Sequence, residues 1–116
     1  MPSSDTGRVL ETIADNIRLA HRFVEGMSFE IFSSDERTLY AVTRCLEIIS
    51  EASRRLPDDL KARHPNVPWA QIAGAGNVYR HDYEDVLAQL LWTTVHEQLT
   101  ALERAVGQES PKAPPP

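Results

Sequence analysis

Apolar residues recur three and four positions apart through most of this chain, and that period constrains the fold more than any other feature. The first such stripe consists of Leu10, Ile13, Ile17, Ala20, Val24 and Met27. Residues spaced in this way lie on one side of an α-helix, so the stripe predicts an amphipathic helix packed on a core. No segment alternates apolar and polar residues as a half-buried β-strand does. The chain is therefore predicted to be all-α.

A second stripe with the same spacing predicts a second long helix. It consists of Leu39, Val42, Leu46, Ile49, Ser53 and Leu56. Pro57 ends this helix, because the residue before a proline is disfavoured in the helical conformation. Gly26 and residues 28–34 predict a break before the helix begins. Ser33, with Glu36 three residues later, predicts a capping box at its start.

The second half of the chain predicts shorter elements and a final long helix. Residues 58–64 predict a turn or a short helical piece, and Pro65 and Pro68 precede a segment that begins at Trp69. The last helix is predicted from about residue 84 to residue 106, with its inner face formed by Leu87, Leu91, Val95, Leu99, Leu102 and Val106. Helices joined by short connections pack as antiparallel neighbours, so we predict an up-and-down antiparallel helical bundle. A bundle of this size has helix faces that its own core does not cover, and these faces favour a homodimer.

The length of 116 residues allows one domain with a single core. The last ten residues contain four prolines and almost no apolar side chains. Such a segment buries too little apolar surface to offset the entropy lost on ordering. We therefore predict a helical domain over residues 1–106 and a disordered tail over residues 107–116.

Composition also limits where the protein acts and what it binds. No apolar run approaches the roughly 20 residues of a membrane span, and no signal peptide is recognisable. Cys45 is the only cysteine, which excludes an intrachain disulfide and favours the cytoplasm. Its apolar neighbours disfavour a reactive thiolate.

The net charge of −5 argues against a general polyanion-binding surface. A local basic cluster is nevertheless present, formed by Arg54, Arg55, Lys61, Arg63, His64 and Arg80. This cluster is interpreted either as a solvated helix end and turn or as a small phosphate-binding face.

Reactive side chains are concentrated just after a pair of glycines, between residues 77 and 83. His81 is the centre of this group, because imidazole titrates near neutral pH and can shuttle protons. Cleavage of RNA by attack of the ribose 2′-hydroxyl on the adjacent phosphate needs such a proton shuttle and no metal. Asn77 lies four residues before His81 and shares a helix face with it if the helix extends that far. Tyr83 converges with His81 only if the backbone turns there. The alternative is a histidine that caps a helix end and a tyrosine that closes the core.

No metal or cofactor site is predicted. The four histidines are His21, His64, His81 and His96, and no pair of them has the spacing of a dedicated metal site. Trp69 and Trp92 are interpreted as core or interface anchors rather than as base-stacking residues.

Several segments together resemble HepT-like proteins of the HEPN superfamily. They are residues 26–29 (GMSF), 45–52 (CLEIISEA), 64–69 (HPNVPW), 72–74 (IAG), 81–83 (HDY) and Trp92. The resemblance extends from about Arg8 to Val106. It implies a helical bundle that forms homodimers, with the motif regions of two subunits meeting in a cleft. It also implies a toxin–antitoxin pair, in which the toxin is a metal-independent RNase and the antitoxin is a minimal nucleotidyltransferase that transfers AMP to the motif tyrosine.

The active motif of that family is an arginine, four to six residues, a histidine, any residue and a tyrosine. His81 and Tyr83 match the histidine and the tyrosine, and Asn77 matches the polar residue that commonly follows the arginine. The arginine position itself is occupied by Gly76. Arg80 is adjacent to His81 and leaves a helix in another direction.

Three hypotheses follow from these residues. The first is an endoribonuclease toxin that cuts RNA, with His81 as general acid/base, Arg80 or Tyr83 steadying the phosphate and Asn77 orienting it. Gly76 either weakens its turnover, because loss of one charge-stabilising donor costs about 10²–10³ in rate, or marks a site rewired around Arg80. The second is a non-catalytic module that binds a nucleotidyltransferase and accepts AMP on Tyr83. The third is a small helical dimer with a scaffolding role.

Overall fold

A computed structural model of the protein describes residues 4–78 and 84–110. Its helices are α1 (Ser4–Val24), α2 (Phe29–Ser34), α3 (Glu36–Arg54), α4 (Asp58–Ala62), α5 (Trp69–Val78), α6 (Glu84–Thr93), a π-helical turn (Thr94–Gln98) and α7 (Leu99–Glu109). The described residues contain no β-strand. The predicted all-α helical fold is therefore confirmed. Within the same residues, no helix is both long and apolar enough to cross a membrane.

The core forms where α1, α3, the π turn and α7 meet, and α3 also packs against α5. The predicted stripes supply most of its side chains, and Ile17, Ile49 and Leu102 are almost completely buried. Phe32 of α2 is fully buried as well, although it lies in the predicted break. Its ring centroid is 5.2 Å from that of Trp92, so the short α2 closes the core beside α6.

The predicted capping box at α3 is wrong, because the residue that caps the helix is Asp35. The Asp35 carboxylate accepts hydrogen bonds from the Thr38 backbone N–H at 3.4 Å and from Thr38 Oγ1 at 2.9 Å. Asp35 is the single residue between α2 and α3, which leaves Ser33 inside α2. Ser33 Oγ instead donates to the Glu30 carbonyl oxygen at 3.1 Å. Because α2, which Ser28 N-caps, forms in the predicted break, the N-cap of α3 is two residues later than predicted.

The final helical segment covers the predicted range and continues past it. The chain is helical from Glu84, through the π turn, to Glu109. Residues 107–109 are therefore helical, although composition assigned them to the tail. The division into a domain over residues 1–106 and a tail over residues 107–116 stays a prediction, and residues 111–116 lie outside the described residues.

Candidate functional site

The structure places the helix that leads into the predicted site, but not the reactive side chains themselves. Helix α5 carries Gly76 and Asn77 and ends at Val78, and α6 begins at Glu84. Arg80, His81 and Tyr83 lie outside the described residues, as does the side chain of Asn77. Their proposed roles therefore remain predictions. The described part of the site is the contact between α3 and α5.

A single buried hydroxyl joins these two helices. Ser50 Oγ donates to the Ala73 carbonyl oxygen at 3.0 Å and accepts from the Gly76 backbone N–H at 3.2 Å. Ser50 is only 3% exposed, so these hydrogen bonds satisfy a hydroxyl whose burial without partners would destabilise the fold. They hold the second half of α5 against α3, directly before the segment that contains His81.

Gly76 lies at the closest part of this α3–α5 contact that involves Ser50. A Cβ atom built at Gly76 would lie 3.2 Å from Ser50 Oγ and 3.6 Å from Ser50 Cβ. The first distance is shorter than most real Cβ contacts, so any side chain at position 76 requires Ser50 to shift by a few tenths of an ångström. The glycine therefore has a packing role in this chain, which the sequence alone did not reveal.

Arg54 binds the same part of α5 from one helical turn farther along α3. Its Nε and Nη2 atoms donate to the Ala73 carbonyl oxygen at 2.9 and 2.6 Å. The Ala73 carbonyl oxygen thus accepts from both Arg54 and Ser50. Arg54 itself is exposed, so its charge remains open to solvent while its guanidinium is held in place.

A second polar cluster, which we call the Glu109 clamp, joins the end of α7 to the α4–α5 connection. Arg63 donates from Nε and Nη2 to the two Glu109 carboxylate oxygens at 3.0 and 2.7 Å. His64 Nε2 lies 2.6 Å from Glu109 Oε2. The hydrogen bonds from Arg63, followed by that from His64, lower the pKa of Glu109 from 4.5 to about 2.

The Glu109 clamp changes the interpretation of the basic cluster. His64 is only 8% exposed, so the interpretation of the cluster as a solvated helix end and turn does not hold for this residue. The His64 carbonyl oxygen also accepts a hydrogen bond from Trp69 Nε1 at 3.0 Å, which supports the interpretation of Trp69 as an anchor. Sequence reasoning missed Glu109, because composition placed it in the tail. The adjacent hydrogen-bond donors Arg63 and His64 were the available signal for a carboxylate partner.

Other candidate chemistry is weak in the described part of the chain. Burial raises the pKa of the Cys45 thiol, as predicted, so Cys45 is a poor nucleophile. Residues 4–78 and 84–110 contain no group of three His, Cys, Asp or Glu residues that could hold a metal ion. A cavity of about 10 Å³ lies between α3, α5 and the π turn, with Thr94 and Gln98 in its lining. It has room for about one water molecule and none for a nucleotide.

Comparison with known proteins identifies the family of this scaffold. The sequence model described as "Ribonuclease HepT-like" matches residues 13–109. The chain belongs to the HepT-like ribonuclease family. The matched range contains residues 76–83, helices α3 and α5 and Glu109.

Individual relatives cover most of the chain. The protein named "Probable ribonuclease HepT" from Thermococcus cleftensis is 42% identical over 94 residues, which are 81% of this chain and 86% of that protein. "Putative RNase TTE0752" from Caldanaerobacter subterraneus is 36% identical over 99 residues, or 85% of this chain and 88% of that protein. "Putative RNase MJ1380" from Methanocaldococcus jannaschii is 32% identical over 106 residues, covering 91% and 97% of the two chains. No solved structure matches this chain.

Proposed function

We propose that this HepT-like chain is a metal-independent endoribonuclease and the toxin of a cytoplasmic toxin–antitoxin pair. The observation that carries the proposal is the family match over residues 13–109, which includes an intact His81 and Tyr83. Relatives named as ribonucleases align over more than four-fifths of the chain. The substrate is RNA, and the active form is a homodimer in which the segments around His81 of two subunits form the cleft.

His81 carries the chemistry in this proposal. Its imidazole accepts the proton of the ribose 2′-hydroxyl as that oxygen bonds to phosphorus, and a proton returns to the 5′-oxygen as the P–O bond breaks. The products are a cyclic phosphate and a free 5′-hydroxyl. Arg80 or Tyr83 steadies the negative charge on the phosphate, and Asn77 orients it. This reaction needs no metal ion.

Gly76 makes the proposed activity weak. A glycine supplies no cation, and loss of one charge-stabilising donor typically costs about 10²–10³ in rate. The close contact with Ser50 also disfavours a larger residue at position 76 in the present α3–α5 packing. Low turnover is therefore expected of the wild-type chain.

The same glycine favours a second candidate function. In this alternative the chain is a non-catalytic HEPN module that binds a minimal nucleotidyltransferase antitoxin and accepts AMP on Tyr83. Intact-mass analysis after incubation with a minimal nucleotidyltransferase and ATP should show one added AMP. A Tyr83→Phe variant should gain no mass, and a gain in that variant would place the modification elsewhere.

RNA cleavage by the purified protein in EDTA tests the main proposal. We expect slow cleavage by the wild type and none by His81→Ala. Gly76→Arg should cleave RNA faster than the wild type if the Ser50 side chain shifts to make room for the new Cβ atom. Gly76→Gln is the matched control, because it introduces the same Cβ crowding without the charge. Equal cleavage by the wild type and His81→Ala would refute the proposed role of His81. Cleavage by Gly76→Arg alone would show an intact scaffold whose natural function is partner binding.

A further inference from the structure

The charge of Arg54 is held in a fixed position without being neutralised by a described carboxylate. Within residues 4–78 and 84–110, the guanidiniums that donate hydrogen bonds are those of Arg18, Arg54, Arg55 and Arg63. Three of them donate to carboxylates, whereas Arg54 donates to the Ala73 backbone carbonyl. None of the described carboxylates lies within ion-pair distance of Arg54.

The structure also distinguishes Arg54 from three other members of the basic cluster, Arg55, Arg63 and His64. Arg55 pairs with Glu51 at 2.8 Å, and Arg63 and His64 both bind Glu109. These pairings reduce the positive charge that the cluster offers to an anion. Arg54 has no described carboxylate partner and its guanidinium is held by the Ala73 carbonyl oxygen, a combination that suits recognition of a phosphate.

The geometry of the guanidinium leaves one of its edges free. Its Nε–H and one Nη2–H point to the Ala73 carbonyl oxygen, so the two Nη1 hydrogens and the second Nη2 hydrogen remain. Those atoms form a second edge that can donate two parallel hydrogen bonds to two phosphate oxygens. The neighbouring surface is open, because Gly74 is exposed and a Cβ built there would meet nothing within 4 Å.

We propose that Arg54 is an RNA-binding residue whose free guanidinium edge holds a phosphodiester group of single-stranded RNA against α3 and α5. This inference rests on the proposed function, since it takes RNA as the substrate. Arg54 sits one helical turn from Ser50, on the face of α3 that supports the helix leading to His81. It therefore positions the RNA backbone and takes no part in proton transfer.

Binding of a fluorescently labelled RNA of about 12 nucleotides, measured by anisotropy at several salt concentrations in EDTA, tests this inference. The full chain with His81→Ala keeps the RNA intact, and Arg54→Gln and Arg55→Gln are introduced into it. Arg54→Gln should weaken binding roughly three- to tenfold and lower the salt slope by about 0.7, the value for one lost contact to a single strand. Arg55→Gln removes the same charge from the adjacent position and should change Kd less than about twofold, because its charge is already paired with Glu51.

Thermal unfolding of the same variants separates RNA binding from support of α5. A lower Tm in Arg54→Gln with an unchanged salt slope would show that Arg54 only stabilises the helix, and would overturn the inference. Equal losses of RNA affinity in Arg54→Gln and Arg55→Gln would show that the affinity depends only on the net charge of the protein. That result would also overturn the inference. Absence of RNA binding in the His81→Ala chain that carries neither arginine substitution would also overturn it.

The outcomes also distinguish this inference from the proposed nuclease activity. If the wild type does not cut RNA but binds it with an Arg54-dependent salt slope, the nuclease proposal fails and the binding site stands. If the wild type cuts RNA and Arg54→Gln binds and cuts it equally well, the inference alone fails. In an active enzyme, the substitution should raise KM more than it lowers kcat, because it removes a contact made in both the bound substrate and the transition state.

Discussion

At the scale of single residues, Glu109 shows how a side chain near the chain end acquires a structural role. Its carboxylate accepts two hydrogen bonds from Arg63 and contacts His64, and its side chain is 16% exposed. Hydrogen bonds to charged groups contribute more than neutral ones, especially where solvent is partly excluded. The lowered pKa of Glu109 reflects this preference of the folded state for the ionised carboxylate.

This shift predicts a pH-dependent contribution to stability. The pKa of Glu109 falls from 4.5 in the unfolded chain to about 2 in the folded one, so the stabilisation is fully present above about pH 4.5 and is lost as the pH falls towards 2. Glu109→Gln should lower the free energy of unfolding by about 1–2 kcal/mol near neutral pH. Its difference from the wild type should shrink between pH 4.5 and pH 3, as measured by urea unfolding.

Glu103→Gln is the matched control for this prediction, because Glu103 lies on the same helix and is exposed. We expect it to change the free energy of unfolding by less than about 0.5 kcal/mol. A constant difference between Glu109→Gln and the wild type from pH 7 to pH 3 would contradict the role of the ionised carboxylate.

At the scale of elements, the apolar stripes predicted the helices better than the local signals predicted where they begin and end. The stripes of α1 and α3 are buried except at Met27 and Leu39, which are partly buried, because a helix with one apolar face gains stability only by covering that face. The start of α3 was misplaced because α2 forms in a segment that looked like a break. That short helix is stabilised by burial of Phe32 on Trp92, which is a tertiary contact.

The observed cap yields a direct prediction. Asp35→Ala removes the side chain that accepts from the Thr38 backbone N–H and from Thr38 Oγ1. We expect it to lower the free energy of unfolding by about 0.5–2 kcal/mol, the usual cost of losing an N-cap. Ser33→Ala should cost less than about 0.5 kcal/mol, because Ser33 lies within α2 and is exposed. Circular-dichroism-monitored denaturation of both variants measures the difference, and a larger loss in Ser33→Ala would restore the capping box.

At the scale of the whole molecule, the Glu109 clamp connects two distant parts of the chain. Arg63 and Glu109 are 46 positions apart in sequence, and their ion pair fixes the last turn of α7 against the connection that precedes α5. The same α5 is held by Ser50 and Arg54 of α3. The helix that leads to His81 is thus supported on α3 and follows a connection clamped to the end of α7.

Shortening the chain tests where the folded unit ends. A chain that ends at Ser110 should unfold at the same temperature as the full chain, because it retains Glu109. A chain that ends at Val106 should be less stable by about 1–3 kcal/mol, since the buried His64 loses its carboxylate partner and Arg63 keeps only the longer contact with Asp59 at 3.7 Å. Each kcal/mol corresponds to a decrease of roughly 4–8 °C in the Tm of a small domain. Equal Tm values for the two shortened chains would show that the domain ends at residue 106, as composition predicted.

The sequence by itself determined the helical class, the positions of the long helices and the candidate chemistry. Helical periodicity is a local property, and so is the grouping of Asn77, Arg80, His81 and Tyr83 within seven residues. The resemblance of its motifs also identified the family, which the comparisons confirmed. These features depend on residues close together in the chain.

Tertiary structure decided which charges are paired, where α3 begins and how close position 76 lies to Ser50. The hydrogen bonds of Glu109 with Arg63 and His64 form only when distant segments pack together. The same is true of the hydrogen bonds that Arg54 donates to Ala73 and Gly76 donates to Ser50. A sequence pattern contains no distance between such residues. Their partners are set by how the buried helix faces fit, because packing brings particular polar groups into hydrogen-bonding range and keeps others apart.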